Sequence, residues 1–303
     1  MGKSRPVKIL SGYTALIGRP NVGKSTLLNC LLGQKIVITS HKPQTTRHRI
    51  LGVKTTDTSQ IVYIDTPGIH ERGEKALNKY LNKVAISSLQ GIDLIIFVCQ
   101  ALIWNKEDEK VLRLVSDNKI PCLLAVNKTD TATPKEKLLP FISEISSKYS
   151  FLDVLPISAQ KGTGIKDLEK IVQRNMKHDF LLFPKNQLSD KSSHFFAAEF
   201  LREQLFRRYN QEIPYAISVE IESFKESNGK IIIGALIWVE KENQRRIILG
   251  SKGSALKEVA IAARKQMSIF FDLRIHLDIW IKVRKSWSSN ENFIKQLGYS
   301  DEL

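Results

Sequence analysis

Gly18-Arg19-Pro20-Asn21-Val22-Gly23-Lys24-Ser25 is the stretch on which the reading of the fold turns. It has the form GxxxxGKS, and its flanks give that form weight. Tyr13–Ile17 before it is an apolar, β-rich run; Lys24–Leu32 after it has a helical pattern that stops at Gly33, a residue favoured just past a helix C-terminus. A glycine-rich loop between a strand and a helix turns backbone N–H groups inward and cradles phosphate. Lys24 is then expected to reach the β- and γ-phosphates of a nucleotide and Ser25 to bind Mg²⁺. Gly18, Asn21, Val22, Gly23 and Thr26 complete the expected lining.

Four further signals follow in chain order. Asp65-Thr66-Pro67-Gly68 closes the apolar run Ser59–Ile64. Asp65 is expected to hold Mg²⁺ through water, and the Gly68 amide to meet the γ-phosphate. Asn127-Lys128-Thr129-Asp130 closes the run Pro121–Val126. The Asp130 carboxylate can accept both the ring N–H and the exocyclic amine of guanine, a pair that adenine does not present, and an acceptor left unpaired rejects the wrong base. Asn127 is expected to tie this loop to the phosphate loop, and the Lys128 stem to cover the base. Ser158-Ala159, after the run Asp153–Ile157, is expected to supply a backbone amide near the base oxygen. The segment SHKPQTTRHR, Ser40–Arg49, is polar and basic without a period, as suits a loop ordered by γ-phosphate and metal. Thr45 or Thr46 would reach Mg²⁺ there, and the sequence does not decide which.

Lys24, Thr45, Thr46 and Gly68 form the candidate catalytic set. The residue after DTPG is Ile69, where a water-positioning glutamine stands in well-known signalling GTPases. Slow intrinsic turnover follows, with a partner or a bound ion completing the site. Asn21 is the candidate holder of that ion, a monovalent cation such as K⁺ beside the phosphates. His70 lies close by but is not read as catalytic.

Around these motifs, Arg49–Thr55 and Ser59–Ile64 read as strands joined by a tight turn, and Asp93–Cys99, Pro121–Val126 and Asp153–Ile157 as further strands, each followed by a polar helical pattern. This alternation predicts an α/β fold, a mostly parallel sheet with helices on both faces, whose ligands bind beyond the carboxyl ends of the strands. The stretch Phe183–Ser193 breaks the periodicity, so the expected organisation is a nucleotide domain over 1–183, a linker over 184–193 and a smaller α+β domain over 194–303.

The chain has 303 residues, enough for about two domains. Cys30, Cys99 and Cys122 lie in apolar runs with no paired or metal-ligand spacing, which fits a reducing compartment. No secretory signal is visible at Met1–Leu10, no apolar run reaches the roughly 20 residues of a membrane helix, and the terminal Asp301-Glu302-Leu303 is not read as a retention signal; a cytoplasmic protein is expected. The net charge of +15 points to a polyanionic partner. Residues 1–189 carry +12 and residues 190–303 only +3, yet Lys241–Lys285 has 11 basic against 4 acidic residues, so the positive charge of the second domain is concentrated there.

That basic segment contains Gly250-Ser251-Lys252-Gly253 between the short helical RRIIL and a helical run from Ser254 to about Ser268. The order helix, strand, strand, helix, GxxG, helix, strand is that of a type II KH module, in which glycines let single-stranded RNA approach and Lys252 adds charge. Gly250, Ser251, Lys252, Gly253 and Lys257 are the candidate RNA contacts. Ile247, Ile248, Leu256, Val259 and Ile261 read as core of the helical pair. Trp238, Trp280 and Trp287 could stack bases, but aromatics in or near strands read first as packing.

GRPNVGKSTLLN, QTTRHRI, YIDTPGIH, NKTD, PISA, PYAISVEIE, ILGSKGSALK and LGYSDEL together resemble the bacterial Era GTPase family over essentially the whole chain. The resemblance implies a monomeric GTPase, working with Mg²⁺ and GTP or GDP, that binds the 3′ end of 16S rRNA, assists maturation of the small (30S) ribosomal subunit and associates in part, peripherally, with the inner membrane face. Cys99-Gln100-Ala101 and Lys42-Pro43 depart from the family pattern without touching a motif. Two other readings compete on the residues alone. One is a membrane-surface or signalling GTPase whose basic domain binds lipid headgroups or protein; the other is an RNA-binding module with a merely structural nucleotide.

Overall fold

The structure, a computed structural model, describes residues 9–40, 42, 44–68 and 76–299. Ile69 and His70, with the expectations placed on them, lie outside these residues, as do Pro43 and 301–303. The chain divides into two compact units, one of 1–37, 46–71 and 81–190, the other of 38–45, 72–80 and 191–303.

In the first unit the phosphate-loop stretch sits between strand β1 (Leu10–Ile17) and helix α1 (Lys24–Leu32), as the sequence predicts. Gly33 ends α1 in the left-handed region at φ 71°, its N–H donating to the Cys30 carbonyl at 3.2 Å. The other strands are β2 (Ile50–Thr55), β3 (Ser59–Asp65), β4 (Leu94–Gln100), β5 (Cys122–Asn127) and β6 (Val154–Pro156). They form one sheet in the order β2-β3-β1-β4-β5-β6, parallel except for β2 against β3. Near-continuous burial along β3, β4 and β5 is what a parallel sheet covered on both faces requires. The helices are α1, α2 (Ala76–Ser87), α3 (Lys106–Asn118), α4 (Leu138–Ser146) and α5 (Ile165–Arg174), of which the first turns of α2 belong to the second unit. Packing of Ile95, Phe97 and Cys99 with Val111 and Val115 fills one face, each large side chain contributing about 1.5–3 kcal/mol.

The chain from Leu182 to Ser189, which runs into the stretch expected as a linker (184–193), is held against this sheet. Gln60, fully buried, accepts from the amides of Leu182 and Phe183, each at 2.8 Å, and donates to the Phe183 carbonyl. Farther on, Val53 N–H donates to the Leu188 carbonyl and Ser189 Oγ to the Leu51 carbonyl. The physical reason is the exposed edge of β2, whose free backbone groups need partners.

The second unit contains α6 (Ser193–Arg208), strands β7 (Ser218–Ser227) and β8 (Lys230–Val239), α7 (Glu242–Leu249), α8 (Ser254–Phe271), β9 (Arg274–Val283) and α9 (Glu291–Gln296). Its sheet runs β7-β8-β9, antiparallel then parallel, in agreement with the expected type II KH order. Segment 38–45 is part of this unit: Thr39 N–H donates to Glu203 at 3.1 Å, Arg202 donates to the Thr45 carbonyl, and Lys42 Nζ donates to the carbonyls of Phe206 and Tyr209. Lys42 thus caps the carbonyl end of α6, where a cation is favoured.

Candidate functional site

The phosphate loop is built by close approaches that a side chain would block. A Cβ at Gly18 would lie 2.3 Å from the Val98 carbonyl oxygen, and one at Gly23 2.4 Å from Asn127 Nδ2. Gly23 also stands at φ 100°, so it suits both demands. Lys24 Nζ donates to the carbonyls of Gly18 at 2.9 Å and Arg19 at 3.1 Å. Burial pushes its ammonium down to about 8, against the opposing pull of Asp65. Arg19 is itself held, its Nε 3.1 Å from Asp108 Oδ2, and the same carboxylate closes a capping box with Asn105 at the start of α3.

Three oxygen side chains meet beside Lys24. Ser25 Oγ donates to Asp65 Oδ2 at 2.8 Å, Thr46 Oγ1 donates to the same oxygen at 3.1 Å, and the two hydroxyls are 2.9 Å apart. The second carboxylate oxygen of Asp65 is buried with no hydrogen-bond partner, and burial raises the carboxyl above its ordinary range. An orphaned buried carboxylate oxygen among hydroxyls is a hard-oxygen donor set, and these residues fit Mg²⁺. Thr45 is not in this group: its hydroxyl donates to the Lys42 carbonyl at 2.6 Å. Gly68 approaches the loop from DTPG, where a Cβ would lie 2.9 Å from Pro20 Cγ.

The base-side motifs meet through Asn127, which is almost fully buried. Its Nδ2 donates to the Val22 carbonyl at 2.8 Å and its Oδ1 accepts the Ala159 amide at 2.9 Å. One side chain therefore joins the phosphate loop to the Ser158-Ala159 turn. Lys128 Nζ donates to the Asn21 carbonyl at 2.7 Å, and Ser158 Oγ to Asp130 Oδ1 at 2.6 Å, which orients an otherwise exposed carboxylate. The sequence expects Ser158-Ala159 to supply a backbone amide near the base oxygen, and within the chain both amides have partners. Ser158 N–H donates to the Thr163 carbonyl and Ala159 N–H to Asn127, because the turn is closed internally. Asn21 has φ 64° and an exposed side chain at the loop tip; Thr26 lies half-buried in the first turn of α1.

In the second unit, Gly250-Ser251-Lys252-Gly253 forms a tight exposed turn between α7 and α8, with Gly250, Lys252 and Gly253 at φ 69°, 50° and 79°. A Cβ at Gly250 would lie 2.5 Å from Ala255 Cβ, whereas Gly253 faces open space. Ser251, Lys252 and Lys257 are exposed. Ile248 and Val259 are core as expected, but Ile247 and Ile261 are 47% and 48% exposed and are corrected from core to surface. They flank the turn as apolar surface. For Ile261 the signal is at helical spacing, where Lys257, Glu258, Arg264 and Lys265 stand three or four residues away on the same face. Trp287 is fully buried and Trp238 packs on Phe293 with ring centroids 5.1 Å apart, while Trp280 is half-exposed.

Comparison with known proteins agrees with this geometry. Residues 13–128 match a family described as "50S ribosome-binding GTPase" and residues 212–288 match the KH domain family. The chain is 48% identical to the GTPase Era of Pseudomonas aeruginosa over 96% of its length and 95% of that protein. It is 45% identical to the GTPase Era of Haemophilus influenzae, over 97% and 98% of the two chains. Among solved structures it is similar to Era in complex with MgGDPNP and nucleotides 1506–1542 of 16S ribosomal RNA, with a TM-score of 0.93 and 35% identity over 96% and 99% of the chains. It is similar to the same degree, over 96% and 100% of the chains, to an Aquifex aeolicus Era variant bound to GDP·AlF₄⁻.

Proposed function

Because the chain belongs to the Era GTPase family, we propose that it is a GTP-hydrolysing switch that holds the 3′ end of 16S rRNA through its KH domain and assists 30S subunit maturation. The observation that carries this reading is the presence, in one chain, of a phosphate cradle with an oxygen triad and of an exposed glycine turn between two helices. A relative that aligns over 96% of the chain was solved with MgGDPNP and a 16S rRNA segment.

In this reading Lys24 exchanges its bonds to the Gly18 and Arg19 carbonyls for the β- and γ-phosphates, which replace neutral acceptors by charged ones. Ser25, Thr46 and Asp65 would hold Mg²⁺, which when bound neutralises charge on the phosphates. Thr46 takes the metal role left open between Thr45 and Thr46, and the Gly68 amide meets the γ-phosphate. Asp130 reads guanine through two donors, with Asn127 and Lys128 holding its loop against the phosphate loop. Asn21 holds K⁺ beside the phosphates; turnover that does not change when Na⁺ replaces K⁺ removes that assignment.

Gly250, Ser251, Lys252, Gly253 and Lys257 contact the RNA backbone. GTP and RNA then alter each other's affinity by the same factor. Crosslinking to total cellular RNA tests the reading: contacts gather at the 3′ end of 16S rRNA and vanish in Gly253→Asp. Contacts spread evenly over RNAs and insensitive to that change would refute it. A monomeric state and partial peripheral association with the inner membrane rest on the family resemblance. Sedimentation and membrane fractionation test them directly.

A further inference from the structure

Trp280 is the indole of this chain that the fold does not use. Trp287 is fully buried and donates to the Ala216 carbonyl, Trp238 donates to Glu220, and Trp104 donates to Glu109. Trp280 is 52% exposed, and its N–H has no partner among the described residues. It stands on β9, the edge strand of the sheet, on the face that α9 covers only near Trp238. Register puts Asp278 beside Gly234, Trp280 beside Leu236 and Lys282 beside Trp238 on that face. The missing side chain at Gly234 makes room for the indole: a Cβ there would lie 3.4 Å from Trp280 Cζ3 and 2.6 Å from Ser223 Oγ.

The surroundings select among occupants. Arg274, His276, Asp278, Trp280 and Lys282 of β9, with Arg284 just after it, are exposed on this face. Glu220, Glu222 and Lys225 of β7 and Lys230 of β8 share it, so the face holds five formal cations against three anions. His276 and Lys282 are 60% and 55% exposed despite their contacts with Asp278 and Glu222. A protein-docking core would be depleted in charge, and a membrane-inserting face would be broadly apolar. A single accessible ring on a charged face with a net cationic excess is instead the composition of a base-stacking platform for single-stranded nucleic acid. Position along the chain agrees. Helix α8 runs about 27 Å from the glycine turn, and β9 returns about 20 Å by Trp280, so the indole comes back toward the level of Gly253.

We propose that the outer face of the KH sheet, centred on Trp280, is a second contact for the same single-stranded RNA, stacking a base beyond those held at the glycine turn. This rests on the RNA reading of the KH domain given above. The test compares the full chain with Trp280→Ala and Trp280→Phe against two RNAs from the 3′ end of 16S rRNA. One is about four nucleotides long, the span a glycine turn clamps, and the other about twelve. Trp280→Ala is expected to weaken the longer RNA by about 5- to 100-fold and leave the shorter unchanged, while Trp280→Phe keeps most of the affinity. No change on the longer RNA overturns the proposal. So does an equal loss in both variants, or a loss confined to binding of acidic phospholipid vesicles. If the unaltered chain binds neither RNA, the RNA reading itself falls; if it binds both and Trp280→Ala is silent, only the second contact does.

Discussion

The Thr46 hydroxyl donates to Asp65 Oδ2 across 3.1 Å, although 19 residues separate them in the chain. Its neighbour Thr45 turns the other way, to the Lys42 carbonyl. Thr46→Ala is therefore expected to raise the Mg²⁺ concentration needed for half-maximal GTP hydrolysis by roughly 10- to 100-fold. Thr45→Ala loses one local bond and should keep the Mg²⁺ requirement, at a stability cost of about 1 kcal/mol. Initial rates over a Mg²⁺ titration separate the two variants, and equal effects would remove the assignment of Thr46.

Asp130 offers two acceptors, one of them oriented by Ser158 Oγ at 2.6 Å. Asp130→Asn replaces one acceptor by a donor, which clashes with the guanine amine but complements the carbonyl that xanthine carries there. Affinity for GDP is expected to fall by on the order of 10³-fold or more, and affinity for xanthosine diphosphate to rise. Competition binding with the two nucleotides measures the exchange.

Asn127 serves the Val22 carbonyl and the Ala159 amide from a buried position. Asn127→Ala leaves both backbone groups without their partner, at about 1–3 kcal/mol each. Thermal unfolding should show the first unit destabilised, and nucleotide affinity should drop with it. A variant with wild-type stability would mean that the loops find other partners.

The two glycines of the KH turn should separate folding from binding. Gly250→Ala drives a Cβ to 2.5 Å from Ala255 and is expected to lower the unfolding midpoint of the second unit. Gly253→Ala meets no neighbour and carries only the cost of its positive φ, about 1 kcal/mol. Its RNA affinity is the informative readout, since the unit stays folded.

Local patterns made most of the architecture legible. The apolar runs before the nucleotide motifs are the strands β1, β3, β5 and β6, and the GxxG order is the KH order, because period and turn chemistry act over a few residues. Helix α2 follows β3 only after the intervening DTPG stretch, and the sequence pattern does not mark it. Ile247 and Ile261 have core identity in the sequence but lie at the surface, because apolar identity does not say which way a helix face turns.

By itself the sequence marked the local motifs, each written in adjacent residues: a phosphate loop, DTPG, NKTD and a glycine turn between two helices. Tertiary structure alone decided which threonine meets Asp65 and that the Ala159 amide belongs to Asn127. It also decided that segment 38–45 belongs with α6 and that Trp280 stays open to solvent. Those outcomes depend on partners 19 to more than 150 residues away, and only register, packing and burial determine which of them meet.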